Sequence, residues 1–295
     1  MKKIISLLLI STIILTGCGT NNNNSNKTMS YEAPSGTVSY KENPKVYADY
    51  NVGEWLYVDA NLVGADMTWP ADSWTDVAKE RNIPSISEDM EAIAALQPDL
   101  IYTIHEDFVD QYSAIAPTIY IPYGTYGPEE LVVEFGKIVG NEKKANNYVK
   151  DLNKQIKELS NLIDNKDLTI SIVDAWSGTP TMYGANFGRG GYILYNKLGL
   201  KGTDKAEQDY IRKENSYMQV DAESMIDYVG DVLFIVDNGQ GSLEAVKNLP
   251  TYNQLKAVKE GNVFVIDQNV FSDSDPYSML NQVKALKEIY SNEDL

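Results

Sequence analysis

The first pattern along the chain is a block rather than a period. Ile4 to Leu15 is almost wholly apolar, follows the basic start Met1-Lys2-Lys3 and gives way at Gly17-Cys18 to a polar stretch. A membrane-spanning helix needs about 20 apolar residues, so this run is too short to span and stay. A basic start, a short apolar core and small residues at its end are the marks of a secretory signal, expected over residues 1–17. Residues 18–40, rich in Asn, Ser and Thr and without apolar periodicity, are expected to form a flexible tether.

From Pro44 onward, short apolar runs alternate with periodic amphipathic ones. Val46-Tyr47-Ala48, Leu100 to Ile104 and Thr118 to Ile121 predict buried strands. Ser73 to Glu80, Met90 to Leu96 and Pro128 to Val139 predict helices. A longer helix is predicted from about Asn141 to Asp164. Its apolar positions Ala145, Tyr148, Val149, Leu152, Ile156 and Leu159 fall at i, i+3, i+4 and i+7 spacing. At 1.5 Å per residue it would be roughly 35 Å long, more than a connector inside one compact lobe needs. It reads as a strut over residues 141–165, between a lobe at 41–140 and a second at 166–295. In the second, Thr169 to Asp174, Met182-Tyr183, Val232 to Val236 and Val263 to Ile266 predict strands. Gly191 to Leu198, Asp221 to Tyr228 and Pro276 to Tyr290 predict helices.

The halves share a pattern. Asp89-Met90-Glu91 leads to Asp99 and the run Leu100 to Ile104, and Asp221-Ala222-Glu223 leads to Asp231 and the run Val232 to Val236. Asp89 and Asp221, Glu91 and Glu223, and Asp99 and Asp231 are each 132 residues apart. Three positions at one offset, with matching element order, predict an α/β fold of two pseudo-repeated lobes joined by a single long helix.

Charge narrows the function. Lys and Arg number 25 against 42 Asp and Glu, for a formal charge of -17. Such a surface repels nucleic acid and anionic headgroups and favours neutral or cationic ligands. There is one histidine, His105, and one cysteine, Cys18. Direct capture of zinc or copper usually wants several of these, so no protein-held metal and no resident cofactor are expected. Leu15-Thr16-Gly17-Cys18 resembles the bacterial lipoprotein cleavage box, in which the cysteine is lipidated. An ordinary signal with a chance cysteine is the other reading. Multiple acyl chains on Cys18 would make a stable anchor and an extracytoplasmic, membrane-tethered protein. The 20 tyrosines, beside four Trp and six Phe, suit aromatic-lined recognition.

Tyr183-Gly184-Ala185-Asn186-Phe187-Gly188-Arg189-Gly190-Gly191 is the most unusual segment after the signal. Its glycine spacing fits neither a phosphate loop nor the dinucleotide fingerprint. An Arg between glycines is sterically open and suits oxygen acceptors, or else marks a tight strand-to-helix turn. Together with Leu194-Tyr195-Asn196-Lys197-Leu198-Gly199-Leu200, this segment resembles the ligand-binding segment of iron-siderophore substrate-binding lipoproteins of Gram-positive bacteria. The ferric-hydroxamate binders are the nearest group, and in them a Trp commonly stands in place of Phe187. Gln97-Pro98-Asp99, Lys137-Ile138-Val139-Gly140, Lys259-Glu260-Gly261-Asn262 and Asp275-Pro276-Tyr277 extend the likeness over most of the chain.

That resemblance implies a monomeric receptor that carries a ferric siderophore in an inter-lobe cleft to an ABC permease with two similar subunits. The chelate's own oxygens would fill the iron shell. Arg189 matches the family's arginine and would donate to those oxygens, with Phe187 as a wall and Tyr183 next. Loop residues Trp69, His105, Tyr123, Tyr126, Trp176, Phe271 and Tyr277 follow strands, where cleft residues arise in α/β folds. Glu91 and Glu223 match the family's pair of docking glutamates, one per lobe. Hydroxamate is favoured over catecholate, because an anionic tris-catecholate would want clustered Lys and Arg. A citrate-based mixed hydroxamate, haem or a corrinoid stay open as ligands. The other classes are a secreted hydrolase, for which no nucleophile-base set is visible, and a surface adhesin.

Overall fold

The computed structural model describes residues 27–175, 178–214 and 216–292. Cys18 and the expected signal fall outside them. The chain folds as two α/β lobes.

The segment expected as tether through residue 40 is ordered from Thr28. Strands β1 (Thr28–Ala33) and β2 (Gly36–Lys41) pair antiparallel as a hairpin. Tyr31 and Tyr40 turn inward; Tyr31 Oη donates to Glu134 at 2.9 Å and Tyr40 Oη to the Ile138 carbonyl at 3.0 Å. The strand signal here is a short alternation of inward and outward residues, which the polar composition hides.

The first lobe carries the parallel sheet β4-β3-β5-β6, from β3 (Lys45–Ala48), β4 (Asn61–Ala65), β5 (Leu100–Thr103) and β6 (Thr118–Tyr120). Both its faces are covered, so its strands read as unbroken apolar runs. Val46, Ala48, Leu100 and Tyr102 face the main core, while Tyr47 and Ile101 face a second cluster with Ile93 and Tyr112. The second lobe carries the five-stranded sheet β11-β10-β7-β8-β9, from β7 (Ile170–Asp174), β8 (Thr181–Tyr183), β9 (Tyr217–Gln219), β10 (Val232–Asp237) and β11 (Val263–Asp267). β7, β10 and β11 run parallel, and β8 and β9 pair antiparallel beyond β7.

The repeat has a chemical basis. Asp89 Oδ1 accepts the Ala92 N–H at 3.0 Å, and Asp221 Oδ1 accepts the Ser224 N–H at 2.7 Å, each three residues on. Asp99 Oδ2 accepts Lys45 N–H at 3.0 Å, and Asp231 Oδ2 accepts Thr169 N–H at 2.7 Å. Each repeat aspartate therefore does one job twice: the first turns the chain, and the second pins the start of the neighbouring strand. After Asp221 only Met225–Tyr228 is helical, so the second helix is shorter than predicted.

The connecting helix runs Glu142–Ser160, about a turn shorter than predicted. It buries Ala145, Tyr148, Leu152, Ile156 and Leu159 and stops where Asn161, Asp164, Asn165 and Asp167 crowd the chain with turn formers. The closing helix Pro276–Asn292 packs on it, and also on helices Val52–Tyr57 and Asp72–Glu80 of the first lobe. The lobes thus share one core across their seam.

Glu129, at the start of helix Pro128–Val139, closes the seam on one side. Its Oε2 accepts Tyr192 Oη at 3.0 Å and Lys197 Nζ at 2.7 Å from the second lobe, and its Oε1 accepts Asn153 Nδ2 at 3.0 Å from the connecting helix. Truncating one partner of a buried pair strands the other charge. Glu129→Ala should therefore cost about 3 kcal/mol in urea unfolding, against about 0.5 for an ordinary surface change. A loss at the surface level would show that the seam does not depend on this clasp.

Candidate functional site

Between the lobes lies a cleft of two adjoining chambers, about 390 and 650 Å3. Both sizes fall in the small-molecule range of about 300–1,000 Å3. Tyr50, Glu54, Tyr123, Phe187 and Asp273 line both and so form the waist between them. The first lobe supplies its wall from the loops after β3, β4, β5 and β6, at the carboxyl ends of parallel strands, where α/β sheets place their ligand sites.

The second lobe supplies the glycine segment, packed against residues 272–273. A Cβ at Gly188 would run into the Ser272 carbonyl, and one at Gly191 into the Gly184 carbonyl. These glycines serve backbone-to-backbone packing. Arg189 sits between them at φ 63°, a strained conformation for a non-glycine residue. The predicted helix Gly191–Leu198 winds as a π-helix over Tyr192–Lys197, a rare form that is frequent at functional sites.

The expected site residues separate. Phe187 (39% exposed), Tyr123 (69%) and Trp69 (81%) stand open in the cleft. Tyr126 lines the smaller chamber and His105 the larger. Tyr183 does not reach the surface. It is buried in β8, donates to Asp174 Oδ2 at 2.7 Å and lies stacked beneath Phe187 with ring centroids 5.4 Å apart. Phe271 is buried beneath Gly190, and Tyr277 packs edge-on to Tyr57 at 5.2 Å, outside both chambers. In both cases the closing helix and the loop before it need the ring for lobe packing. Trp176 lies outside the described residues.

Arg189 lines neither chamber. Its guanidinium lies 5.4 Å from the Tyr183 ring centre, its Nε is 3.7 Å from Asp174 Oδ2, and Nη1 donates to the Ser272 carbonyl at 3.4 Å. It braces the wall that Phe187 tops. Glu91 and Glu223 are exposed on their separate lobes, and neither side chain makes a hydrogen bond or ion pair among the described residues.

Sequence reasoning missed the cleft floor. Tyr50 meets Tyr123 edge-on at 6.1 Å, and Tyr217 meets Phe187 at 5.1 Å. Glu54, on helix Val52–Tyr57, is 6% exposed and takes Asn51 Nδ2 at 3.0 Å. A lone carboxylate inside the apolar run Val52 to Val58 was the available signal, since acids are rarely buried without a reason. Asp275 caps the closing helix, accepting Tyr277 N–H at 2.9 Å and Ser278 N–H at 3.2 Å, and takes Ser73 Oγ of the first lobe at 3.3 Å. Asp49 is buried and accepts hydroxyls from Thr103 and, at 2.9 Å, Tyr112. Among the described residues no group of three or more His, Cys, Asp or Glu is placed to hold a metal ion.

Burial pushes Glu54 up to about 8, helped by the neighbouring charges of Asp275 and Asp273. It pushes Asp275 up to about 6, helped by Asp273. Asp273 opens to cleft water but is ringed by protein, and its carboxyl is raised by the same loss of solvent.

Comparisons with known proteins agree with this architecture. A family model described as "Periplasmic binding protein" matches residues 55–270. The chain is 35% identical over 272 residues to the iron(3+)-hydroxamate-binding protein YxeB of Bacillus subtilis, covering 88% of this chain and 84% of that one. The FhuD protein from S. pseudintermedius superposes with a TM-score of 0.79 at 26% identity, over 91% of this chain and 100% of its own. FhuD2 from Staphylococcus aureus with bound ferrioxamine B superposes with a TM-score of 0.73 at 29% identity, over 84% and 99%.

Glu54 generates a test by titration. Its folded value lies above the ordinary 4.5, so the fold favours the protonated form. Stability from this group is fully present below about 4.5 and is lost as pH rises through about 8. Glu54→Gln mimics the protonated carboxyl. Its melting temperature should fall less than wild type between pH 5 and pH 8.5, and exceed it at pH 8.5 by about 2 °C or more. Parallel profiles would show that Glu54 ionises freely.

Proposed function

Because the chain belongs to the periplasmic binding protein family, we propose that it is an extracytoplasmic receptor for a ferric hydroxamate siderophore, which it delivers to an ABC importer. The family consists of binding proteins, so the hydrolase reading of the acidic composition falls away. One observation carries the ligand class: the open inter-lobe cleft is walled by Trp69, Tyr123 and Phe187, with Phe187 stacked on the buried Tyr183. A ferric trihydroxamate presents an apolar, compact surface with its iron already coordinated. It needs flat aromatic area and a few donors from its receptor, and no metal ligands. The likeness to YxeB and to FhuD2 with bound ferrioxamine B supports the same class.

In this reading Phe187, Tyr123, Trp69 and Tyr126 are walls, and His105 is a donor at the edge of the larger chamber. Arg189 holds Tyr183 and the Ser272 loop in place beneath Phe187. Cys18 carries the lipid anchor, and residues up to Lys27 form the tether. Glu91 and Glu223, exposed and unpaired at equivalent points of two equivalent lobes, dock onto the two similar permease subunits.

Tryptophan fluorescence of the soluble mature protein tests the ligand class. A ferric trihydroxamate should quench it with a Kd below about 1 μM, while a ferric tris-catecholate and haem bind at least about 100-fold more weakly. Strongest quenching by haem or catecholate would overturn the assignment. Phe187→Ala should weaken the trihydroxamate about tenfold, a wall's share of about 1.4 kcal/mol. Glu91→Ala combined with Glu223→Ala should leave titration in vitro unchanged and lower iron uptake by cells several-fold. Normal uptake by the double variant would remove the docking role.

A further inference from the structure

The hairpin β1–β2 runs the height of the first lobe. Its open end sits at the base of the sheet, where Lys41 pairs at 3.5 Å with Asp99, the residue that also pins the start of β3. Its turn, Pro34-Ser35-Gly36, lies at the opposite end, at the rim of the cleft. Two inward tyrosines fix it to helix Pro128–Val139 on the way. Tyr40 holds the Ile138 carbonyl at the helix end far from the cleft, and Tyr31 holds Glu134 nearer to it.

At the rim the hairpin answers a need of the sheet. β6 is an edge strand, paired with β5 on one side only. The Ile121 N–H donates to the Thr103 carbonyl at 3.1 Å, so in a parallel ladder the N–H and carbonyl of Tyr120 point away from β5. An outward edge carbonyl wants a donor, and Ser35 Oγ donates to that of Tyr120 at 3.2 Å. Every residue from Ile121 to Gly127, directly after it, lines the smaller chamber. At the far end of this loop stands Tyr126, and the buried Tyr31 hydroxyl that donates to Glu134 also interacts with it. The hairpin thus grips the loop at both ends, and the exposed ring of Tyr123 stands between the grips.

We propose that the N-terminal hairpin belongs to the binding machinery as a strap that holds loop Tyr120–Gly127 in the shape of the smaller chamber's wall, with Tyr31 and Ser35 as positioning residues for Tyr126 and Tyr123. The inference rests on the ferric-chelate reading above and extends its machinery to a segment that lines neither chamber. A ring left open to solvent gains little from packing on its own, so its place is set by what holds the ends of its loop. A wall fixed beforehand loses less conformational freedom when the chelate arrives, and binding is tighter for it.

The test compares two ends of the same hairpin. Ferrioxamine B and ferrichrome are titrated into the full mature protein, into Tyr31→Phe combined with Ser35→Ala, and into Tyr40→Phe. Each tyrosine variant keeps its buried ring and loses one hydroxyl. The double variant should bind whichever chelate wild type binds at least about fivefold more weakly, as expected for the loss of a hydrogen bond or two. Its amides at Tyr123, Gly124 and Tyr126 should exchange at least about fivefold faster in the free protein. Tyr40→Phe, which loosens the hairpin away from the cleft, should lower the melting temperature while keeping affinity and loop exchange within about twofold of wild type. Affinity of the double variant within about twofold of wild type would overturn the inference and leave the ferric-chelate reading standing. An equal loss of affinity in Tyr40→Phe would show that the hairpin acts only through general stability, and would overturn it too. Wild type that binds neither chelate would overturn the ferric-chelate reading itself, and this inference with it.

Discussion

Two buried carboxylates, Glu129 and Asp275, tie the lobes together across their seam. Glu129 gathers a tyrosine, a lysine and an asparagine from the second lobe and the connecting helix. Asp275 caps the closing helix while accepting Ser73 from the first lobe. Neither can let go of its partners cheaply, because a charge buried without them costs several kcal/mol. The closing helix then lies across elements of both lobes. Such a seam opposes wide hinge motion, and a cleft held this way is preorganised.

A preorganised cleft suits a rigid cargo. Phe187 rests on Tyr183, which is held by Asp174, and Arg189 packs against the same ring. The wall is therefore built in layers behind its exposed face. A chelate that fills its own iron shell asks for shape and aromatic area, which such layers supply, rather than for ligating side chains.

Much of this was legible along the chain. Unbroken apolar runs disclosed the buried parallel strands, because both faces of each strand meet protein. The aspartates 132 residues apart disclosed the lobes, because each pair repeats one hydrogen bond to backbone. The hairpin Thr28–Lys41 stayed hidden because two inward tyrosines are too few to show a period within a polar stretch. At the site, residue type disclosed which aromatics are available but not which way they point. Phe187, Tyr123 and Trp69 face the cleft, while Tyr183 in β8, and Phe271 and Tyr277, expected in cleft loops, are taken by packing. Arg189 illustrates the same limit, since its guanidinium is directed by Asp174 and Tyr183, neither its neighbour in sequence. The acidic waist is assembled from residues more than 200 positions apart and so has no local signature.

Anomalous iron scattering from crystals of the mature protein grown with a ferric trihydroxamate is the most direct measurement of how the cleft works. The structure described here predicts one iron peak between the lobes, flanked by the rings of Phe187 and Tyr123, with every coordinating atom supplied by the chelate. Iron held by a side chain of the protein, or a chelate seated away from the inter-lobe cleft, would contradict it.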